Sequence, residues 1–193
     1  MPSRVEREPK QRSRALTGAD VLEVLGTLET CASRIWIDGG WGVDALVAEQ
    51  TRDHTDLDLA VDQHDLAEIE QALAEIGFQH DPTIEPGLPA RLVLRDDRGR
   101  QIDIHPLRFD EEGNGWQQLS ETGRAWGRYP AEHLGAAGTI AGLRVLCLSA
   151  ELQVRFRMGH EWSSRDEHDI KLLTSRFRVG PLPPPFWRNS SLK

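Results

Sequence analysis

Residues 35–61 read IWIDGGWGVDALVAEQTRDHTDLDLAV, and the fold follows from how this run divides. Ile35–Ile37 is a short apolar strand, Gly39-Gly40 opens a helix over residues 40–48 that turns Val43, Leu46 and Val47 inward, and a second strand carries Asp56 and Asp58. Side chains alternate along a strand, so the two carboxylates share one face while Leu57, Leu59 and Val61 point the other way into a core. Two neighbouring carboxylates on a half-buried strand repel each other, and a divalent cation would offset that cost. A glycine pair between strand and helix lets backbone N–H groups approach an anion at the positive end of the helix dipole. Either feature alone fits a solvated strand end or a plain turn; their succession in one short run favours adjoining phosphate and metal sites.

The remaining polar residues of the run divide by position. Asp38, directly before the helix, suits an N-cap better than a metal ligand. Asp44 is read as structural, paired with Arg52. Arg52 is the stronger phosphate candidate, because its fork stays charged at any working pH. His54 has two readings, a solvent-exposed strand entry or a nucleotide contact on the face of Asp56 and Asp58.

Gly39-Gly40-Trp41, followed by Arg52-Asp53-His54-Thr55-Asp56-Leu57-Asp58, resembles the signature of the DNA polymerase β-like nucleotidyltransferase superfamily. Within it, the resemblance is to the antibiotic-modifying branch of lincosamide nucleotidyltransferases and aminoglycoside 2″-adenylyltransferases, and it extends over residues 35–173. It implies an α+β fold with a mixed sheet flanked by helices and a small C-terminal hairpin and helical part. It also implies that Asp56 and Asp58 bind Mg2+, that Asp103 in Gln101-Ile102-Asp103-Ile104-His105-Pro106 is the third carboxylate and general base, and that ATP is the nucleotide. Gly39, Gly40, Trp41, Arg52 and His54 are the nucleotide-binding set on this resemblance. The expected reaction moves AMP to a hydroxyl of a small molecule such as a lincosamide or aminoglycoside. Toxin-type transfer to protein or RNA, or a nucleotide-binding module without catalysis, are the alternatives; the intact carboxylate trio speaks against the second.

Composition narrows the class. A chain of 193 residues that is 38% hydrophobic suffices for one full core, and no apolar run approaches membrane-spanning length. The polar N-terminus lacks a signal-peptide core, and Cys31 and Cys147 lack metal-ligand spacing, so both read as buried thiols of a cytoplasmic protein. A net charge of −8 disfavours tracking of a nucleic-acid backbone and suits a small cationic acceptor. Three His-Asp dipeptides, His64-Asp65, His80-Asp81 and His168-Asp169, raise a metal phosphohydrolase of the HD type, but that fold is all helical and the strands here are not.

Outside the central run, the expected organisation is a disordered tail (1–14), a nucleotidyltransferase core (15–109), an acceptor loop with hairpin and C-terminal helices (110–178) and a proline-rich tail (179–193). Thr17 and Asp20 form a capping box for a first helix; Asp62 opens another, with Leu66, Ile69, Leu73 and Ile76 as its apolar stripe, closed by Gly77. Residues 91–95 and 101–105 form a hairpin about Asp96-Asp97-Arg98-Gly99, with Ile102 and Ile104 inward and Asp103 and His105 on the other face. Residues 106–133 read as a long irregular loop, in which Trp116, Trp126 and Tyr129 either make an acceptor platform or pin the loop down. A hairpin over 139–148 follows, then a helix capped by Ser149 and a last helix with a capping box from Ser164 to Glu167. Asp166 and Asp169 on that helix either answer its dipole or support the site.

Overall fold

In a computed structural model, residues 14–31, 34–81, 90–123, 126–158 and 161–180 are described. Helix α1 (Gly18–Leu28) starts at the expected capping box, in which Thr17 and Asp20 satisfy each other's backbone N–H groups. Strand β1 (Ile35–Ile37) leads into α2 (Gly39–Val47), with Asp38 as N-cap accepting from the Gly39 N–H. Strand β2 (Leu57–Asp62) is followed, after a 3-10 turn, by α3 (Leu66–Glu75), which buries Ile69 and Leu73 and ends before Gly77 at φ +94°. Then come β3 (Gln79–His80), β4 (Leu92–Arg95) and β5 (Gln101–Phe109), a hairpin pair β6 (Gly115–Gln118) and β7 (Trp126–Tyr129), a second pair β8 (Ala136–Ile140) and β9 (Leu143–Cys147), and helices α4 (Ala150–Arg157) and α5 (Ser164–Arg176).

The strands form one mixed sheet in the order β3-β4-β5-β2-β1-β9-β8, with β6 and β7 continuing from the far end of β5. Its centre fixes the site. Strands β2 and β5 run parallel, and β1 is antiparallel to β2. On one face Leu57, Leu59, Val61, Ile102 and Ile104 pack beneath α1 and α3, meeting Val21, Val24, Leu28, Ile69 and Leu73. Each such side chain, taken fully out of water, contributes about 1.5–3 kcal/mol. The opposite face carries Ala60 and Leu107 into a second cluster with Trp36, Tyr129, Leu134, Leu148 and Leu152. The period-two alternation that sends Leu57 and Leu59 into the main core therefore sends Asp58 to this second face.

Several expectations are corrected. Residues 106–133 are not one irregular loop: β5 continues to Phe109 and pairs with β6, which pairs with β7. Pro106 masks the continuation in the sequence, but β5 runs through it, beside Val61 of β2 on one edge and between the β4 and β6 pairings on the other. The second hairpin joins the main sheet, where β9 lies parallel to β1. In α2 the deeply buried residues are Trp41, Val43, Asp44 and Ala45, while Leu46 and Val47 are half-buried, the helix packing on the β8 end of the sheet. The last capping box is Ser163 with Asp166, one residue earlier than the sequence pattern places it. Arg14 is tied down, its N–H on the Gly99 carbonyl and its guanidinium on Asp20 at 2.6 Å. Cys147 is fully buried, its thiol pushed up to about 12 by burial, while Cys31 is only partly covered. Residues 1–13 of the expected N-terminal tail and 181–193 of the proline-rich segment lie outside the described residues. No helix among the described residues is long and apolar enough to cross a membrane.

Candidate active site

The parallel register of β2 and β5 sets Asp58 directly beside Asp103, and Asp56 lies one residue ahead of β2. Asp103 is 2% exposed, its Oδ1 accepting from Gln101 Nε2 at 2.7 Å and its Oδ2 from Arg91 at 3.1 Å. Burial, and then the charge of Asp58, raise its pKa. Asp56 is pushed up to about 6, first by burial and then by the charges of Asp58 and Asp103. Asp38 also faces this group and is raised by burial, with Asp58 adding to the effect. The fold has thus gathered carboxylates at an electrostatic cost, a pattern that makes them candidates for a functional site.

The glycine pair is required by the close approach of side chains. Gly39 has φ +60°, and a Cβ there would run into the Asp58 carboxylate, coming within 2.7 Å of Asp58 Cγ. A Cβ at Gly40 would overlap the His54 ring and lie 2.7 Å from an Arg52 guanidinium nitrogen. Both positions therefore need glycine so that the segment carrying Arg52, His54 and Asp58 can close over the start of α2. The Gly39 N–H is already held by the Asp38 carboxylate at 2.6 Å.

His54 is neither a solvent-exposed strand entry nor open to a ligand. Its ring is 2% exposed, donates from Nε2 to the Asp44 carboxylate and packs on the Trp41 ring at 4.9 Å. Asp44 also accepts from the Thr51 hydroxyl at 2.7 Å and the Thr51 N–H at 3.1 Å, so its partners are Thr51 and His54 and not Arg52. Trp41 is likewise buried, which leaves its backbone rather than its indole for any nucleotide. Arg52 sets both arms of its fork on Asp169, at 2.9 and 2.8 Å, and that hydrogen bond raises its pKa further. Asp169, 1% exposed, also accepts from Arg157 at 3.0 Å. Of the two α5 aspartates, Asp166 caps its own helix and Asp169 anchors the segment that delivers Asp56.

Trp116 and Tyr129 serve the hairpin and the core beneath it, while the side chain of Trp126 lies outside what is described. Trp116 donates its indole N–H to Asp110 at 2.7 Å and receives Arg128 over its ring at 5.8 Å, leaving the ring half-buried. Tyr129 is 3% exposed, so it is core to the second cluster instead of a surface for an acceptor. Sequence reasoning passes over His105, Gln117 and Arg91. His105 Nε2 lies 3.2 Å from Asp58 Oδ1, and Gln117 holds its other nitrogen at 3.0 Å. Burial works against a charge on His105, but its hydrogen bond to Asp58 and the charges of Asp58, Asp38 and Asp103 raise its pKa. The signal is present in the sequence, since His105 is two residues on from Asp103 and so on the same face.

Among the described residues no three His, Cys, Asp or Glu groups stand close enough to enclose a metal ion as the side chains lie. Asp103 is turned to Arg91 and Gln101, and Asp58 to His105. The donor chemistry nonetheless fits a hard divalent cation: oxygen ligands only, mutually repelling, with one carboxylate held up to about 6 by burial and by the charges of the other two.

Comparison with known proteins gives a consistent result. A lincosamide resistance protein of Staphylococcus haemolyticus is 29% identical over 162 residues, covering 83% of this chain and 96% of that protein. The crystal structure of the lincosamide antibiotic adenylyltransferase LnuA, lincomycin-bound, superposes with a TM-score of 0.72 at 27% identity, covering 84% of this chain and 99% of that one. The structure of ANT(2″)-Ia in complex with adenylyl-2″-tobramycin shares the fold, with a TM-score of 0.62 at 20% identity over 82% of this chain and 87% of that one. The aminoglycoside-2″-adenylyltransferase family matches residues 20–173, and since that span takes in most of the molecule, including all three carboxylates, the chain belongs to this family and is a nucleotidyltransferase.

Proposed function

We propose that this protein transfers AMP from ATP to a hydroxyl of a lincosamide, with pyrophosphate leaving and Asp56, Asp58 and Asp103 holding magnesium. The observation that carries this reading is the β2–β5 register, which sets Asp58 against Asp103 and leaves Asp56 uncompensated at about 6. Bound magnesium supplies charge neutralisation at the triphosphate and acidifies the acceptor hydroxyl. The chain itself supplies position. With the Gly39 N–H taken by Asp38 and the Gly42 N–H by the Asp38 carbonyl, the N–H groups of Gly40 and Trp41 are the ones left at the start of α2 for phosphate. Asp103, its pKa raised by burial and by Asp58, takes the acceptor proton on a carboxylate oxygen. Arg52, engaged with Asp169, acts through the placement of the Asp56 segment and adds positive potential beside the phosphates.

A lincosamide is favoured over an aminoglycoside because this chain spans nearly the whole of the lincosamide resistance protein and of LnuA. The negative charge suits either acceptor where that carries an amine. The test incubates the purified protein with ATP and Mg2+ and either lincomycin or tobramycin, and follows nucleotide adducts by mass spectrometry. An AMP adduct of lincomycin is expected, with turnover down about a thousandfold in Asp103→Asn while nucleotide still binds. Adducts of tobramycin alone would move the acceptor to the aminoglycosides; adduct formation undiminished in Asp103→Asn would remove Asp103 from the chemistry.

A further inference from the structure

Beyond the carboxylates, a chain of hydrogen bonds runs from the β6–β7 hairpin to Asp58. The Tyr129 hydroxyl donates to Gln117 Oε1 at 3.0 Å. Gln117 Nε2 donates to the Ala90 carbonyl at 2.6 Å and to His105 Nδ1 at 3.0 Å. His105 Nε2 reaches Asp58 Oδ1 at 3.2 Å. Gln117 is 8% and Tyr129 3% exposed, so these groups have little recourse to water.

The partners assign the hydrogens. Ala90 offers only a carbonyl, so the Gln117 amide must present its NH2 there, and its oxygen is left for the Tyr129 hydroxyl. Both Gln117 N–H bonds and its carbonyl are then used, and the amide cannot flip without losing two partners. With Nδ1 of His105 accepting from this amide, the ring hydrogen sits on Nε2 and points at Asp58. On the other side, Asp58 Oδ2 lies against Gly39, where any Cβ would collide with it. The Asp58 carboxylate is thus held from two sides, by a ring N–H on Oδ1 and by the bare Gly39 backbone near Oδ2.

We infer that His105 is a positioning residue for Asp58 in metal–nucleotide binding, and that Gln117 and Tyr129 fix the ring that does so. This rests on the reading of Asp56, Asp58 and Asp103 as the metal ligands. A ligating carboxylate that is oriented by a hydrogen bond loses less freedom when it binds, and loss of such an outer partner weakens metal affinity by about 10–100-fold. The same tie couples the β6–β7 hairpin to the metal site through side chains alone.

The experiment titrates Mn2+, read by the paramagnetic resonance of the free ion, into the full-length protein saturated with a non-hydrolysable ATP analogue. Asp58→Asn, His105→Phe, His105→Gln and Tyr129→Phe are compared with the unaltered chain, each with its melting temperature. His105→Phe should weaken Mn2+ binding about tenfold or more, and His105→Gln, which keeps an N–H near the Nε2 position, should recover most of it. Tyr129→Phe should give a smaller loss in the same direction, and it keeps the test open if His105→Phe does not fold. Affinity unchanged in His105→Phe, or in Tyr129→Phe should that be the one measurable, overturns the inference; so does a His105→Gln variant as weak as His105→Phe, because the N–H would then not be what matters. If the unaltered chain binds no Mn2+, or Asp58→Asn binds it equally well, the metal site itself is wrong, which is a different failure.

Discussion

Replacing Asp56 by Asn should make the metal-free protein more stable and the metal-loaded protein less so. The folded-state pKa of Asp56 stands at about 6 against 3.8 for a free carboxyl. A carboxyl whose pKa is raised by folding stabilises the fold only while protonated, so its ionisation costs stability, increasingly so as the pH rises from about 4 through 6. A rise from 3.8 to about 6 corresponds to about 3 kcal/mol at full ionisation. Asp56 is only half-buried, and Asn still has to be desolvated, so the gain on removing the charge is nearer to about 1–2 kcal/mol. For a chain of this length that is a rise of about 2–8 °C in melting temperature. The assay is thermal unfolding at about pH 8 in a chelator, repeated at about pH 4.5, where the gain should shrink, and again at about pH 8 with Mg2+ and a non-hydrolysable ATP analogue. In the last condition the order should reverse, with the unaltered protein the more stable. An Asp56→Asn protein that melts lower in the chelator at about pH 8, or that gains as much from Mg2+ and nucleotide as the unaltered chain does, would refute the argument that these carboxylates are held together at a cost which a cation relieves.

Two other substitutions probe the frame. Gly39→Ala places a Cβ against Asp58 in a backbone of φ +60°, so melting should fall by the equivalent of about 1–2 kcal/mol and adduct formation should be lost, whereas Gly77→Ala, at φ +94° with open space around it, should cost similar stability and spare activity. Asp169→Ala strands Arg52 and Arg157 without their shared carboxylate, and chemical denaturation should register a loss of about 3 kcal/mol; a change under about 0.5 kcal/mol would show the anchor to be unimportant.

Much of the fold can be read from the sequence because local chemistry and period agree there. The Thr17 capping box, the β1–α2–β2 succession, the 96–99 turn and the facing of Asp58 away from Leu57 and Leu59 each follow from a few neighbouring residues. Legibility fails where a partner is remote. Nothing near Arg52 announces Asp169, and nothing near Asp44 distinguishes Arg52 from His54 as its partner; both pairings are decided by how α5 and the 51–54 segment pack. The hairpin of β6 and β7 is obscured by Pro106 and by glycines that punctuate strands as readily as loops. Within the site, the carboxylates are legible because their clustering is costly and so informative, while Gln117 and Tyr129 are not, because an amide and a phenol on a strand carry no such signature. From sequence, Tyr129 fits an acceptor surface because aromatic residues near polar sites serve ligands and cores alike, and only burial separates the two.

The Arg52–Asp169 pair closes a loop of 117 residues. In terms of synthesis, a nascent chain that has produced all three carboxylates by residue 103 holds the segment ahead of Asp56 through Leu16, Trp41 and Asp44, and gains the Arg52 tie when α5 has emerged. Contacts of such long sequence separation form late, since the entropy of closing the loop must be met before they contribute. A truncated product lacking α5 would retain the residues of the sheet's central pairing, yet leave Arg52 without its acceptor and the approach to Asp56 held by one tie fewer. The order of events therefore separates folding of the sheet from the last tie on the segment that leads to Asp56, which only the final helix supplies.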